Sequence, residues 1–258
     1  MKKLIALLLA LAMVFSLAAC GGDSTDPTKE PTQAPTQAPT NEPTQEPTQA
    51  PTEGSDKGEG VMTYAEYAAA AIDEAVVVEC YVQAHQSWWD NKITVYAQDQ
   101  DGAYFLYELA CSEEDAANLT AGTKIRVSGF KGEWAGEIEI MDATFEILEG
   151  NWVAEATDVT ALLGTDELIA HQNEFVSFKG LTIASITYKN GEPGDDIYVD
   201  VTLNDETYSF CVERYLTGPG TEVYEAFATL AAGDVVDMEG FLYWYEGVNT
   251  HITAVVKK

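Results

Sequence analysis

From Val76 to Ala84 the chain alternates, with Val76, Val78, Cys80, Val82 and Ala84 on one side and Glu79, Tyr81 and Gln83 on the other. A period of two predicts a half-buried strand. Ile93, Val95 and Ala97 predict a second, and Asp99-Gln100-Asp101-Gly102 turns the chain into a third, Ala103 to Leu109. In that third strand Tyr104 and Leu106 share one face and Phe105 and Tyr107 the other, so the pattern leaves its inner face open. Ser112 and Asp115 cap a short helix that ends near Leu119. Ile125 and Val127 mark a fourth strand, Gly132-Glu133-Trp134-Ala135-Gly136 a loop, and Ile138 with Ile140 a fifth strand. Ahead of the first strand, Thr63 and Glu66 have capping-box spacing and predict one more short helix.

The same order then repeats. Leu119, Ala121, Gly122, Gly129, Phe130, Trp134 and Gly136 recur 111 positions later as Leu230, Ala232, Gly233, Gly240, Phe241, Tyr245 and Gly247. Val76, Val78, Cys80 and Val82 match Val176, Phe178, Gly180 and Thr182 at an offset of 100, and Ile93, Val95, Ala97 and Tyr104 match Ile197, Val199, Val201 and Tyr208 at 104. Growing offsets predict a duplicated domain whose insertions sit in two loops, around Asn190 to Gly194 and around Gly218-Pro219-Gly220. Three strands, a helix and two strands is the order of the OB-fold, a five-stranded Greek-key barrel. The expected fold class is therefore all-β with short helices, in tandem OB-fold-like barrels. A single β-sandwich built from both halves is the competing architecture.

The first sixty residues have a different character. Lys2 and Lys3 precede an apolar run, Leu4 to Leu17, that is short for a membrane span and fits an export signal. It ends in Leu17-Ala18-Ala19-Cys20 followed by Gly21-Gly22, which resembles the lipobox of bacterial lipoproteins. That resemblance implies acylation of Cys20 as the first mature residue, with an ordinary cleaved signal as the alternative. Pro27, Pro31, Pro35, Pro39, Pro43, Pro47 and Pro51 then fall every fourth residue, each followed by Thr. Such a segment buries no core and, partly polyproline II, extends about 3 Å per residue, on the order of 100 Å in all. This reach suits holding a domain clear of a membrane through a thick, Gram-positive type of wall. The domain reading is 1–19 signal, 20–60 lipid-anchored spacer, 61–150 first barrel and 151–258 second barrel. Taken together, the chain resembles an OB-fold bacterial surface lipoprotein, which implies an extracytoplasmic, membrane-anchored location.

Charge changes the partner reading. The chain carries 43 acidic and 13 basic residues, a formal net charge of -30. A surface of that sign repels phosphate backbones and anionic headgroups, so nucleic acid is expected to be an unlikely partner despite the fold. After Cys20 three cysteines remain, Cys80, Cys111 and Cys211, an odd number that argues against a full disulfide framework; Cys80 reads as a buried small residue, with a bridge to Cys111 left open. No cofactor or metal site is expected, and Asp99-x-Asp101-Gly102 is explained by its turn.

OB-folds bind ligands on the face of strands 2 and 3, between the loops joining strands 1 to 2 and 4 to 5. Those loops carry Trp88, Trp89 and Trp134 in the first copy and Tyr188, Tyr243, Trp244 and Tyr245 in the second, and Tyr96 lies on strand 2. Exposed aromatics in these places predict a stacking surface for a glycan, cell-wall fragment or protein. The structural alternative is that the rings fold back to plug the barrel ends, above all Trp134 and Tyr245. For catalysis the sequence offers little: His85, His171 and His251 are scattered, and pairs such as Glu137 with Glu139 or Asp195 with Asp196 are expected by chance in so acidic a chain. The expected function is a non-catalytic binding module. A cell-envelope hydrolase or its accessory subunit, and a structural scaffold lipoprotein, are the alternatives.

Overall fold

The structure is a computed structural model and describes residues 57–258. The signal, Cys20 and the Pro/Thr repeat lie outside the described residues. Helix α1 (Tyr64–Ala69) opens with the expected reciprocal cap, Glu66 N donating to Thr63 Oγ1 and Thr63 N to Glu66 Oε2. The strands β1 (Ala75–His85), β2 (Lys92–Gln98) and β3 (Ala103–Ala110), helix α2 (Glu113–Ala116) and the strands β4 (Thr123–Trp134) and β5 (Glu137–Asn151) follow. They close a barrel in the order β1-β2-β3-β5-β4, the OB-fold order.

After a short strand β6 (Thr157–Asp158) the order returns: β7 (Phe175–Tyr188), β8 (Ile197–Leu203), β9 (Glu206–Val212), helices α3 (Arg214–Thr217) and α4 (Glu222–Phe227), β10 (Val235–Phe241) and β11 (His251–Lys257). These run β7-β8-β9-β11-β10, and β10 pairs back onto β7, so the second copy is the same barrel with β6 added on the outside of β7. Two barrels, each with its own core, replace the sandwich alternative.

The alternation placed most core residues correctly. Val76, Val78, Cys80, Val82, Ile93, Val95, Ala97, Ile125, Val127 and Ile140 fill the first barrel, and Tyr104 with Leu106 is the inner face of β3. The second barrel is filled by Val176, Phe178, Ile197, Val199, Val201, Phe210 and their neighbours. Cys80, Cys111 and Cys211 are buried free thiols, and the Cys80 to Cys111 bridge is not formed.

Two expectations need correction. The inserted residues do not all fall in loops, because β7 carries a bulge at Lys179-Gly180. Gly180 takes a left-handed φ of 67° there, and its N–H donates to Asp237 Oδ1 at 2.8 Å. One extra residue inside a strand reverses the facing of everything after it. Leu181 and Ile183, not Gly180 and Thr182, therefore continue the core. The loop expected from Gly132 to Gly136 is also shorter: β4 runs on to Trp134 against Glu137, and only Ala135 (φ 52°) and Gly136 (φ 92°) form the turn.

Candidate functional site

The outward face of β2 and β3 in the first barrel, where an OB-fold ligand would lie, is covered by the second barrel. Tyr96 stacks on Phe241 with ring centroids 4.5 Å apart, and Phe105 packs edge-on against Tyr243 at 5.2 Å. Tyr96 Oη meets His251 Nδ1 at 2.5 Å and also accepts from Gln86 Nε2 at 3.2 Å. Burial pushes the His251 pKa down to about 3, so the ring is neutral and pairs with the phenol rather than with a carboxylate.

Polar clamps hold both ends of this seam. At one end Ser87 donates its N–H (2.8 Å) and its hydroxyl (3.2 Å) to the Tyr215 carbonyl. At the other end the turn between β4 and β5 enters the loop between β10 and β11. There the Ala135 carbonyl accepts from Glu246 N at 2.7 Å, and the Gly136 carbonyl from Gln172 Nε2 at 2.9 Å. Glu137 follows directly, fully buried, with Oε2 accepting from Trp244 N at 2.8 Å and Gln172 Nε2 at 3.1 Å. Among the described residues its Oε1 has no partner, and neither has the buried Asn173 Oδ1. Asn173 itself crosses the seam through Nδ2, which donates to the Ile138 carbonyl at 3.0 Å. Burial raises the Glu137 pKa to about 8, so the carboxyl is neutral at neutral pH. Burial likewise raises Glu139 to about 6 and Glu213 to about 7.

What the second barrel leaves uncovered is a groove of about 330 Å³ at the Ser87 end. Its walls are Trp89 from the loop after β1, Tyr107 from β3 and Tyr215 from α3. These rings are 76%, 42% and 52% exposed. Trp89 is held out by a tight turn in which its N–H and carbonyl pair with the carbonyl and N–H of Lys92, both at 3.0 Å, while Asp90 and Asn91 take left-handed conformations. Tyr215 is fixed because Glu213 caps α3, its Oε2 accepting from Tyr215 N and Leu216 N at 2.8 Å each. The Arg214 guanidinium sits 4.9 Å from the Tyr215 ring centre, a cation–π contact. Between the rings lie Gln86, Ser87 and Thr94 and the ion pair of Lys92 with Glu108 at 2.5 Å, which raises the Lys92 pKa. The groove thus offers aromatic faces, neutral hydrogen-bonding groups, and a donor and acceptor that already neutralise each other.

Of the eight aromatic candidates named from sequence, only Trp89 lines this groove. Trp88 turns inward, its Nε1 donating to the Cys111 carbonyl at 2.8 Å, and packs on the first core. Tyr188 and Trp244 pack on the second core. Tyr96 and Tyr243 are seam residues, and Tyr96 is closed to any ligand. Trp134 and Tyr245, for which plugging was the alternative, are 62% and 51% exposed beside the interlocked loops, away from the groove. Sequence reasoning missed Tyr107 and Tyr215. Tyr107 carried a signal, since it lies on the face of β3 opposite Tyr104 and Leu106. Tyr215 carried none, because only the docking of the barrels brings it to the groove.

The possible catalytic residues are dispersed. His85 Nδ1 lies against the Gln86 carbonyl, His171 pairs with Glu174 at 2.8 Å, and His251 is in the seam. Asp196 is bound to Lys189 and to Arg214 N, and Asp195 to Asn190. In the turn after β2, Asp99 uses Oδ1 for the N–H groups of Asp101 and Gly102, and Oδ2 for Lys57 Nζ at 2.6 Å and the Tyr104 hydroxyl at 3.0 Å. Its carboxylate is spent on the turn.

No protein-family model matches the chain, and no curated protein sequence is significantly similar to it. Among solved structures, a murine DNA-binding protein bound to double-stranded DNA is similar over 70% of this chain and 96% of its own, at 11% identity and a TM-score of 0.36. A HIN domain in complex with 20-base-pair double-stranded DNA is similar over 72% of this chain and 98% of its own, at 11% identity and a TM-score of 0.33. A replication protein A heterotrimer bound to single-stranded DNA is similar over 71% of this chain and 49% of its own, at 12% identity and a TM-score of 0.30. These likenesses concern fold, which the strand order establishes independently. They stand against the expectation that nucleic acid is an unlikely partner, since all three are described bound to DNA.

Proposed function

We propose that this chain is a non-catalytic binding module for carbohydrate, anchored on the outer face of a cell membrane through lipid on Cys20 and carried away from it by the Pro/Thr spacer. The observation that supports the ligand class is the groove, in which three exposed rings, Trp89, Tyr107 and Tyr215, surround neutral hydrogen-bonding groups. Sugars present an apolar ring face and a polar rim, and such a lining meets both. The anchoring half of the proposal rests on the lipobox resemblance and the proline period. No helix among the described residues is long and apolar enough to cross a membrane.

The ligand test is titration of intrinsic tryptophan fluorescence with soluble wall fragments and neutral oligosaccharides, with single- and double-stranded DNA run alongside. Saturable binding of a sugar that is lost in Trp89→Ala supports the reading. Binding confined to DNA, with a steep salt dependence, replaces it with a nucleic-acid function. The anchoring test is metabolic labelling with a fatty acid, which should mark the wild-type chain and not Cys20→Ala.

A further inference from the structure

We infer that the groove is one composite site whose occupant, a short neutral oligosaccharide lying along the seam, holds the two barrels together. The inference rests on the carbohydrate reading above and extends it. Trp89, Lys92, Tyr107 and Glu108 belong to the first barrel and Tyr215 to the second, so neither barrel contains the site alone. The element that presents Tyr215 is also the one that clamps this end of the seam, since its carbonyl receives both Ser87 bonds. The lining residue Gln86 donates to Tyr96 Oη, which in turn meets His251 of the second barrel. Site and seam therefore share residues. Parting the barrels removes the Tyr215 wall and leaves a shelf bearing Trp89 and Tyr107.

A ligand that touches both Trp89 and Tyr215 binds the docked state more tightly than the parted one, and by linkage it favours docking by that difference in affinity. The chemistry at the seam indicates what kind of ligand this is. One face of Tyr215 already holds Arg214, and the Lys92–Glu108 pair is internally neutral, so the lining offers stacking planes and paired donors and acceptors rather than a net charge. A volume of about 330 Å³ is at the small end of ligand clefts, which run from roughly 300 to 1,000 Å³. A volume of this size suits a short oligosaccharide.

The test uses the folded protein with chitohexaose and cellohexaose as probes, measured by calorimetric titration and by amide hydrogen exchange. Trp89→Ala and Tyr215→Ala should each weaken binding at least ten-fold, and Trp134→Ala, an exposed ring outside the groove, should leave it unchanged. Bound sugar should slow exchange across the seam, at Ala135 to Glu137 and Phe241 to Tyr243, in the wild type and not in Tyr215→Ala. Full affinity in Tyr215→Ala, with loss in Trp89→Ala, assigns the site to the first barrel and overturns the composite inference while the carbohydrate reading stands. Binding lost only in Trp134→Ala moves the site elsewhere and overturns the composite inference. Wild-type protein that binds neither sugar overturns the composite inference and the carbohydrate reading together.

Discussion

Replacing Glu137 by Gln should make the protein less sensitive to alkali. In the folded chain burial is the main influence on the carboxyl, and its pKa is about 8 against an ordinary 4.5. A folded-state pKa raised above the unfolded one means that the folded form favours the proton. The associated stability is complete below pH 4.5, declines as pH rises from there and is gone above about pH 8. A difference of about 3.5 units at about 1.4 kcal/mol each sets the full effect at roughly 5 kcal/mol, an upper bound if the seam relaxes around the charge. Glutamine keeps an oxygen for Trp244 N and Gln172 Nε2 and removes the ionisation. The assay is denaturant unfolding of both proteins from pH 4.5 to 9. The variant should match the wild type near pH 4.5 and exceed it by several kcal/mol at pH 8.5, about 10 °C or more in Tm for a body of this size. Glu139 and Glu213, also raised, tilt both curves the same way and cancel in the comparison. A difference between the curves that does not change with pH, or one that grows toward acid, refutes the claim that Glu137 is buried as a neutral acid.

Tyr96→Phe keeps the stacking on Phe241 but removes the hydroxyl that joins Gln86 and His251, and should cost about 1–3 kcal/mol in unfolding free energy. Gly136→Ala puts a methyl 2.9 Å from Trp244 Cδ1 at a residue whose φ is 92°; a loss of about 1–3 kcal/mol and faster exchange in the loop after β10 are expected. Lys131 Nζ donates to the carbonyls of Tyr67, Ala68 and Ala70 at the end of α1, so Lys131→Met should free that helix and destabilise the first barrel by about 1–3 kcal/mol, read by exchange at Tyr67 to Ala70.

Much of each barrel was legible because alternation is a local record of which side faces the barrel interior. Val76 to Val82 and Ile93 to Ala97 carry that record plainly. It broke at Gly180, where one extra residue reversed the faces, since a bulge leaves no mark in a two-residue period beyond the glycine itself. It was silent on β3, where both faces are aromatic: Tyr104 fills a core, Phe105 fills a seam and Tyr107 meets solvent. The site was legible only at Trp89. Trp134 and Tyr245, candidates for the stacking surface with plugging as the alternative, are neither, and the architecture at that end is made by Ala135, Gly136 and Glu137.

The sequence by itself determined two OB-fold barrels, their cores and their aromatic loops, because these depend on the periodicity of neighbouring residues. Tertiary structure decided which outward-facing rings remain free. An outward face has two possible fates, solvent or a second barrel, and nothing local distinguishes them. Tyr96 and His251 are 155 positions apart, and their contact depends on how the surfaces of two finished barrels fit. That fit closes the expected cleft and brings Tyr215 to the same groove as Trp89, open to a ligand at the edge of the seam.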